Sequence, residues 1–450
     1  MRISIPSAVR RLLCRLEEGG YAAYGVGGCV RDCLLGKEPQ DWDICTSAKP
    51  EEILSCFSDC RSILTGAQYG TVTVLWEEKP YEITTFRGES GYSDSRHPDE
   101  IRFLTSLRED LSRRDFTVNA MATDKDGQVT DCFGGMEDLK RGLIRCVGQP
   151  ERRFAEDALR ILRALRFGAK LGFTVEEHTA RAAEEGKENL LLVSPERLRK
   201  ELDGLLCGEA AARVLEKHGE ILFVLLPELA PCKGFRQYNF HHRYDVWQHT
   251  LSALAQSEPV LPLRLAVLLH DIGKPAVFSF DKQLVGHFYG HSVVSAAMTE
   301  KLLRRLRYDN ETLRRVTALV REHGFPLKDN EEKRIRRLLG KLGEEDARLL
   351  LRLRRADRLG KGTECPEEIE ADISRSEELL EDVIQRELCF SLKQLAIKGD
   401  DLLALGVPQG RKVGLLLDRL LSGVLEEAVP NEREALVEYA QNMMQNMEIG

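Results

Sequence analysis

The protein is 450 residues long, and 42% of its residues are hydrophobic while 31% are charged. Its formal net charge of −8 at pH 7 excludes a surface that is basic throughout, although a local basic stripe could still bind nucleic acid. No apolar run approaches the roughly 18 residues of a membrane-spanning helix, and the first residues show no signal-peptide pattern.

The cysteines indicate a reducing compartment. All twelve are scattered and none belongs to a Cys-x-x-Cys pair, so the pattern favours neither a zinc ribbon nor a disulfide framework. We therefore predict free thiols in a cytoplasmic protein. The length predicts about two to four domains.

The chain to about residue 140 predicts a mixed α/β domain. Its strands are indicated by runs of β-branched and aromatic residues, and its first helix by amphipathic spacing. The predicted elements are a helix at 7–18 ended by Gly19-Gly20, strands at 71–76 and 81–86 around a turn at 77–80, and a hairpin at Asp126-Gly127.

Two aspartates in this domain, Asp41 and Asp43, follow a Gly27-Gly28 turn. Alternate residues of a strand point to the same face, and two carboxylates that close repel each other unless a cation lies between them. A divalent metal pair there would activate an attacking hydroxyl and stabilise a leaving pyrophosphate. The glycines let the backbone approach phosphate oxygens. The pattern therefore predicts metal-dependent chemistry on a phosphate.

Two neighbouring motifs supply cations for that phosphate. The motif GVGGCVRD places Arg31 within reach of a triphosphate, with Asp32 beside it. The motif RRDFTVNAMA offers Arg113 or Arg114 to neutralise phosphate charge during transfer.

A third motif, EDALRILRALRF, opens a predicted amphipathic helix. On such a helix Asp157, Arg160 and Arg163 fall along one side at i, i+3 and i+6, and Arg166 lies further round. Taken alone, this is the pattern of a solvated face over a leucine core. A lone Gly-Gly pair or a lone Asp-x-Asp is likewise usually structural, but the motifs together and in this order are far more specific.

With these motifs, the chain resembles the class II tRNA nucleotidyltransferases, the CCA-adding enzymes of the DNA polymerase beta superfamily. The resemblance implies that Asp41 and Asp43 hold catalytic Mg²⁺, with Glu82 as a candidate third carboxylate. It implies nucleotide-binding roles for a further set of residues: Gly28, Arg31, Arg114, Asp157, Arg160, Arg163 and Arg166.

Within that set, the resemblance makes Asp157 and Arg160 a protein template that reads the base. Cytosine and adenine both present an amino donor beside a ring-nitrogen acceptor, which suit a carboxylate and a guanidinium. Uracil and guanine present the reverse order and would leave both protein groups mispaired, at a cost of a few kcal/mol. One Asp–Arg pair therefore admits CTP and ATP and rejects UTP and GTP.

Two segments distinguish members of this superfamily. The segment Thr65 to Thr73 resembles the CCA-adding version rather than that of bacterial poly(A) polymerases, and the full-length segment Arg87 to Phe103, with Tyr92-Ser93-Asp94 and Arg96-His97-Pro98, resembles the flexible loop of CCA-adding enzymes. We therefore expect complete CCA addition to tRNA. An A-adding enzyme and a poly(A) polymerase remain the alternatives.

A second candidate site has the residue order of an HD phosphohydrolase: His249, the pair His270-Asp271, and Asp357. Imidazoles with carboxylates suit a divalent transition metal. The pair follows an apolar run and would end a buried helix, which Gly273-Lys274-Pro275 then stops.

Other histidines crowd the same region of the sequence. His287, His291 and His323 could complete a second metal position, and His241 and His242 lie nearby. Removal of 2′,3′-cyclic phosphates from damaged tRNA ends is the activity that we expect there, should the site turn over.

The end of the chain carries a glycine-rich helix–turn–helix pattern between Lys398 and Gly414. Arg411 and Lys412 at its second helix could bind an RNA phosphate, although a plain αα-hairpin explains the pattern equally well. The resemblance implies that this tail holds the elbow of tRNA by shape and backbone contacts.

The fold that we expect is α+β, with a mixed α/β head followed by all-α domains. The predicted domains are a nucleotidyltransferase head at 1–140, a helical neck at 141–225, an HD domain at 226–360 and a tail at 361–450. Two functions of other classes compete with CCA addition: an HD phosphohydrolase whose N-terminal half only binds nucleotides, and a non-catalytic RNA-binding protein. The intact aspartate pair argues against both.

Overall fold

The computed structural model describes residues 1–64, 66, 69–90, 100–239, 242–325, 331–386, 391–426 and 428–447. The chain divides into two compact units, one of Met1–Ala230 with Arg305–Arg307 and one of Pro231–Arg304 with Tyr308–Gly450. The four-domain division stays a prediction. The segment Thr65 to Thr73 is described only in part, and most of the predicted flexible loop, residues 91–99, lies outside the described residues, as does His241.

The first unit contains a sheet domain followed by helices. In chain order its elements are α1 (Ser7–Glu18), β1 (Ala23–Val26), α2 (Gly28–Leu34), β2 (Asp43–Thr46), α3 (Pro50–Cys56), β3 (Ser62–Ile63), β4 (Thr71–Trp76), β5 (Lys79–Thr85), β6 (Arg87–Ser90), β7 (Glu100–Phe103), α4 (Leu107–Ser112), β8 (Met121–Thr123), β9 (Val129–Asp131), α5 (Gly135–Arg141), β10 (Leu143–Ile144), α6 (Pro150–Glu156), α7 (Leu159–Leu171), β11 (Thr174–Val175), α8 (Glu177–Glu185), α9 (Pro195–Leu206) and α10 (Ala211–Leu225).

A seven-stranded sheet forms the centre of this unit, in the order β3-β4-β5-β2-β1-β8-β9. Neighbouring strands are antiparallel except for β2 and β5, which are parallel. The predicted strand at Thr71–Trp76 is confirmed, and it buries Val72 and Val74 on one face. The next strand begins at Lys79, not at residue 81 as predicted, because Glu77 and Glu78 both adopt positive φ and close a two-residue turn.

The predicted first helix is confirmed as α1. Its buried side chains Val9, Leu12, Leu13 and Leu16 recur at i, i+3, i+4 and i+7, so the helix buries a single apolar stripe. Gly20 follows it with a φ of +88°, a conformation that glycine adopts without strain. The predicted hairpin at Asp126-Gly127 is also confirmed, since it joins β8 to β9.

The second unit is almost entirely helical. In chain order its elements are α11 (Val246–Ala255), α12 (Leu261–Leu269), α13 (Lys274–Val277), β12 (Ser279–Phe280), β13 (Gly286–His287), α14 (His291–Arg305), α15 (Asn310–Glu322), α16 (Glu331–Lys361), α17 (Pro366–Gln385), α18 (Gly399–Ala404), α19 (Arg411–Leu425) and α20 (Arg433–Met447). With the mixed sheet of the first unit, this confirms the predicted α+β class.

Two global expectations can be compared with the structure. The eleven cysteines that the structure describes are all free, as the scattered pattern predicted. Across the described ranges, we find no helix that combines the length and the apolar character needed to span a bilayer.

Candidate functional sites

The aspartate pair lies at the start of β2, near the centre of the sheet. Asp43 is the first residue of the strand and pairs with Val26 of β1. Asp41 precedes the strand, so the expectation that both residues lie within it was wrong by two positions. Both side chains are nevertheless exposed, while Trp42 and Ile44 are buried. The alternation therefore presents both carboxylates to the solvent side of the sheet.

Arg114 is the cation that compensates this pair. Its guanidinium lies 3.5 Å from the fully buried Asp110, and its Nη1 is 3.0 Å from where a Cβ on Gly27 would be. The surrounding protein raises the pKa of Asp43 by desolvation, an effect that Arg114 opposes and the like charge of Asp41 increases. A divalent cation at this position would relieve that repulsion, so the residues present fit a metal.

Glu82 lies next to this pair in the sheet. β2 and β5 are parallel, and Ile44 is in register with Ile83, which sets Glu82 beside Asp43. Glu82 is exposed while Ile83 is fully buried, so Glu82 faces the same solvent side as the aspartates. Its role as a third carboxylate stays a prediction, with a position that suits it.

Arg31 is held inside the first unit rather than extended into solvent. Gly27 and Gly28 begin α2, with Gly27 at a φ of +81°, and the helix carries Arg31 to a buried position. Its Nη1 donates to the side-chain oxygen of Asn119 at 2.6 Å. Its Nε donates to Asp32 at 2.8 Å, so the adjacent carboxylate helps to hold this guanidinium in place.

A buried carboxylate, Asp115, connects this arginine to α7. One Asp115 oxygen accepts hydrogen bonds from Asn119 at 3.1 Å and from the Phe116 amide at 2.8 Å. The other accepts from Nε and Nη2 of Arg163 at 2.9 and 2.7 Å. Burial opposes ionisation, but the Arg163 guanidinium prevails and holds the pKa of Asp115 below its ordinary value. Arg163 therefore serves first as the partner of a buried charge.

Asp157 does not lie on the same helix as Arg160, so the predicted i, i+3, i+6 stripe is wrong at its first member. Asp157 has an extended backbone, at φ −148° and ψ 102°, between α6 and α7. One of its oxygens accepts from the Leu159 amide at 3.1 Å and the other from Arg197 of α9 at 2.8 Å. The carboxylate is thus fixed by a helix start and a distant arginine.

Arg160 is anchored by its other neighbours. Its Nη1 donates to Glu156 at 2.8 Å and to the Arg153 carbonyl at 3.2 Å, and its Nη2 donates to the Arg113 carbonyl at 3.2 Å. A guanidinium has five N–H groups, so two of them remain without a protein acceptor in the part of the chain that the structure describes. Those two can bond a ligand while the other three fix the side chain.

The remaining predicted arginine, Arg166, donates to Glu201 of α9. Arg163 lies 3.5 Å from the same carboxylate, and the guanidinium of Arg166 is 4.2 Å from the centre of the Phe167 ring. Arg31 also packs over that ring, at 5.3 Å. The structure therefore brings Arg31, Arg163 and Arg166 around one aromatic side chain.

The sequence interpretation missed five residues that hold these side chains: Asp115, Asn119, Glu156, Arg197 and Glu201. Two of them stand in the quoted motif RRDFTVNAMA, where their i, i+4 spacing was a usable signal. Glu156 also opens a quoted motif. Arg197 and Glu201 lie on α9, far along the chain from the residues that they hold. No local sequence pattern reveals them, because they meet their partners only through the packing of α7 on α9.

The predicted HD residues do meet inside the second unit. His249 lies on α11, and His270 ends α12 with Asp271 directly after it. The Nε2 of His249 is 3.2 Å from that of His270 and 3.1 Å from Asp357. Lys274 and Pro275 do more than stop the preceding helix, because they begin the short helix α13.

Asp271 is the centre of this cluster. Its Oδ2 lies 3.4 Å from His249 and 3.2 Å from His270. Its Oδ1 lies 3.4 Å from His291 and 3.8 Å from His323. Both oxygens are buried and accept no hydrogen bond from the described residues, although the Lys274 ammonium forms an ion pair with Oδ2 at 2.6 Å. Each oxygen thus faces its own pair of imidazoles, which is the donor arrangement of two metal positions bridged by one carboxylate.

Backbone carbonyls orient three of these imidazoles. The Nδ1 atoms of His270, His291 and His323 lie 2.7, 2.8 and 2.7 Å from carbonyls three residues earlier. If each Nδ1 carries the proton, each Nε2 presents a lone pair to the cluster. Burial lowers the pKa of His323 to about 3, so this imidazole stays neutral, as a metal ligand must.

A protonated imidazole and two lysine side chains compensate the negative charges of the aspartates in this cluster. Burial opposes protonation of His270, but Asp271 and Asp357 raise its pKa to about 10. Lys274 lies 2.6 Å from Asp271, and Lys361 lies 3.3 Å from Asp357. The carboxylates of Asp271 and Asp357 thus attract positive charge to the point where the imidazole nitrogens converge. These residues fit a divalent cation.

Not every nearby histidine belongs to the cluster. His287 pairs with Asp281 at 2.9 Å, so the prediction that it contributes to a second metal position is wrong. His291 and His323 do face Asp271, and a metal held there stays a prediction. The His242 ring packs against that of His249, with centroids 5.8 Å apart. The predicted tail helices are confirmed as α18 and α19, with Arg411 and Lys412 exposed; their contact with RNA stays a prediction.

Comparisons with known proteins cover both units. Residues 23–145 match the family model "Poly A polymerase head domain", residues 172–233 match "Probable RNA and SrmB- binding site of polymerase A", and residues 289–440 match a model of tRNA nucleotidyltransferase domain 2. A CCA-adding enzyme of Lactobacillus delbrueckii subsp. bulgaricus is 37% identical over 428 residues, which is 95% of this chain and 96% of that protein.

Two further proteins resemble the chain over different lengths. The CCA-adding enzyme of Leuconostoc mesenteroides is 52% identical over 205 residues, 46% of this chain and about half, 51%, of that protein. The crystal structure of the Bacillus stearothermophilus CCA-adding enzyme in complex with CTP superposes with a TM-score of 0.69, at 28% identity and 98% coverage of both chains.

The buried pair of Asp115 and Arg163 yields a prediction about stability. We expect Asp115→Asn to destabilise the protein by about 3 kcal/mol at pH 7, because it removes the nearer counter-charge of a partly buried guanidinium and leaves only Glu201, at 3.5 Å. The pKa of Asp115 is lowered in the folded state. The stabilisation that its ionised carboxylate contributes is therefore fully present above the ordinary aspartate pKa of about 4. It is lost as the pH falls through the folded-state pKa.

Urea unfolding of both proteins at several pH values checks this expectation. The difference in the free energy of unfolding between wild type and Asp115→Asn should be constant from pH 7 to about pH 4. It should become smaller below that pH. Asp59→Asn, which removes an exposed ion pair with Arg15, is the matched control and should change stability little. A gap that widens on acidification would contradict the assignment.

Proposed function

Because this chain belongs to the family of CCA-adding enzymes, we propose that it adds C, C and A to the 3′ end of tRNA, with CTP and ATP as substrates and no nucleic acid template. The observation that carries the proposal is the Asp41 and Asp43 pair, exposed on one side of the sheet beside Arg114 and the Gly27 turn. Identity to a relative over 95% of the chain supports it.

The chemistry that we propose joins the terminal ribose hydroxyl to the α-phosphate and releases pyrophosphate. Asp41 and Asp43, with Glu82 beside them, would hold Mg²⁺, which supplies charge for the attacking and leaving oxygens when bound. Gly28 lets the backbone approach the triphosphate, and Arg31 and Arg114 neutralise its charge. The protein's own contribution is therefore positioning and electrostatic stabilisation.

Base selection falls to Asp157 and Arg160. The carboxylate, held by Arg197, accepts from the amino group of cytosine or adenine, and the free N–H groups of Arg160 donate to the ring nitrogen. Arg163 and Arg166 support base selection indirectly. Their ion pairs with Asp115 and Glu201 fix the helix that carries Arg160. The anchors already present mean that little side-chain freedom is lost when a base binds.

The HD cluster supports a second activity. We propose that a divalent transition metal such as Mn²⁺ or Ni²⁺ binds between His249, His270, Asp271 and Asp357, with a second position at His291 and His323. Such a centre would supply an activated water for hydrolysis of a phosphate ester. A 2′,3′-cyclic phosphate at a damaged tRNA end is the substrate that we favour.

Nucleotide incorporation tests the first activity. On tRNA transcripts that end before CCA, with all four nucleotides offered singly and together, we expect two C and one A and then a stop. Asp41→Ala and Asp43→Ala should each lower the rate by more than about 100-fold, since even residues that only support metal ligands contribute 10- to 100-fold.

The exposed Asp59→Ala variant is the matched control for that assay and should retain full activity. A long A tail would identify a poly(A) polymerase instead, and A added only to transcripts that already end in CC would identify an A-adding enzyme. Full activity in both active-site variants would rule out the proposed carboxylates.

Base discrimination tests the template. Asp157→Ala should reduce the preference for CTP over UTP by about 10- to 100-fold, since a bidentate base contact contributes about 1–3 kcal/mol of discrimination. Arg197→Ala should reduce it less, because the carboxylate remains but loses its anchor. Single-nucleotide kinetics give the ratio of kcat/KM, and Glu151→Ala on α6 is the control; an unchanged ratio in Asp157→Ala would refute the template.

Metal analysis tests the HD centre. His291→Asn should lower the bound metal of the Mn²⁺-loaded protein by about one ion, because it removes a ligand from one position of a two-metal site. His287→Asn, four residues away but outside the cluster, should keep the wild-type metal content. Equal metal content in the two variants would show that His291 is no ligand.

A further inference from the structure

The HD cluster opens into a small pocket rich in positive charge. The pocket has a volume of about 270 Å³, and its charged and imidazole lining consists of His323 and Asp357 of the cluster, the cations Arg354, Arg358 and Lys361, and the carboxylate of Glu364. This volume lies just below the roughly 300–1,000 Å³ of most small-molecule sites. It therefore suits a phosphate ester and part of its sugar rather than a large cofactor.

One helix supplies these cations. Arg354, Asp357, Arg358 and Lys361 all lie on α16, at i, i+3, i+4 and i+7, so they share one face. The helix face that provides a candidate metal ligand therefore also provides the lining of the adjacent pocket. Any anion in the pocket lies within one helical turn of Asp357.

Two of the three cations are already compensated. Arg358 donates to Glu364 at 2.6 Å and to Asp372 at 3.1 Å. Lys361 lies 3.3 Å from Asp357. Neither side chain needs a ligand to balance its charge.

Arg354 is different. Its Nε is buried without a hydrogen-bond partner, and within the described ranges no residue forms a hydrogen bond or an ion pair with its guanidinium. Burial lowers the pKa of Arg354, which Asp357 opposes and Arg358 reinforces. The residue as a whole is half-buried. An arginine remains protonated even so, and a buried Nε–H without an acceptor is costly. An anion in the pocket would supply the missing acceptor.

We propose that Arg354 is the phosphate-binding residue of the HD site. Its planar N–H groups hold the non-bridging oxygens of a phosphate ester that lies in the pocket beside His323 and Asp357. Guanidinium and phosphate match in geometry and charge, and their bidentate pairs are among the stronger hydrogen bonds. The identity of the ester rests on the phosphohydrolase function proposed above, whereas the anion site rests on the pocket and on Arg354 alone.

Phosphate binding tests this site directly. Full-length protein is loaded with Mn²⁺, freed of excess metal and titrated with inorganic phosphate by calorimetry. We expect Arg354→Gln to weaken phosphate affinity at least about tenfold, and Arg354→Lys to weaken it less, because lysine keeps the charge but loses the planar fork. Metal content should be the same in all variants, since Arg354 is not a ligand.

Arg352→Gln is the matched control. Arg352 lies on the same helix but pairs with Glu258 at 2.8 Å and does not line this pocket. Its variant should bind phosphate like wild type. The melting temperature of Arg354→Gln should not fall, because the substitution removes a desolvated charge that has no partner.

The remaining outcomes separate the two proposals. Equal phosphate affinity in wild type and Arg354→Gln at equal metal content overturns the site, as does a wild-type protein that binds no phosphate. Hydrolysis of bis(p-nitrophenyl) phosphate and of 2′,3′-cyclic AMP is then measured on the same samples. Phosphate binding through Arg354 without any hydrolysis would leave the anion site standing and reject the phosphohydrolase function.

Discussion

The buried ion pair of Asp115 and Arg163 is the interaction on which the nucleotidyl-transfer site depends. It joins the sheet domain to α7 through two hydrogen bonds to one carboxylate oxygen, while Asn119 occupies the other and positions Arg31. Phe116, next in the chain, packs edge-on against Phe167 at 5.8 Å. One carboxylate therefore orients Arg31 on one side and α7, the helix that carries Arg160, on the other.

The HD cluster also has to compensate a buried carboxylate, and it does so in a different way. Asp271 is buried, and its neighbours are four imidazoles and the Lys274 ammonium rather than guanidinium groups. Imidazoles can be neutral or charged, so a proton on an imidazole can balance a carboxylate and would be released when a metal binds. The sheet site needs a fixed scaffold around exposed carboxylates, whereas the HD site needs donors whose charge adjusts.

Anchoring also explains why so many arginines of the first unit have protein partners. Arg31, Arg160, Arg163 and Arg166 each bond to a carboxylate or a carbonyl. Such partners do not remove an arginine from function, because a guanidinium keeps N–H groups for a ligand after two or three are used. They restrict its rotamers in advance, which lowers the entropy lost on binding. Arg354, for which the described residues offer no such partner, is the exception that a bound anion would resolve.

The sequence alone determined the features that depend on local order. The shared face of the aspartate pair, the glycine turn, the meeting of His249 with His270, the amphipathic helix α1 and the α+β class all follow from residue type and spacing, and the structure agrees with each. The predictions made from the sequence failed where the local backbone path or the choice of a side-chain partner decides the outcome. Asp157 lies between two helices, β5 begins two residues earlier than predicted, and His287 pairs with Asp281.

Only the tertiary structure decided which charges meet. Arg197 reaches Asp157 from 40 residues away, Asp271 divides its two oxygens between two imidazole pairs, and Arg354 lies beside Asp357 with no partner among the described residues. The physical reason is that side-chain period fixes which face a residue occupies, but the packing of helices fixes which faces touch.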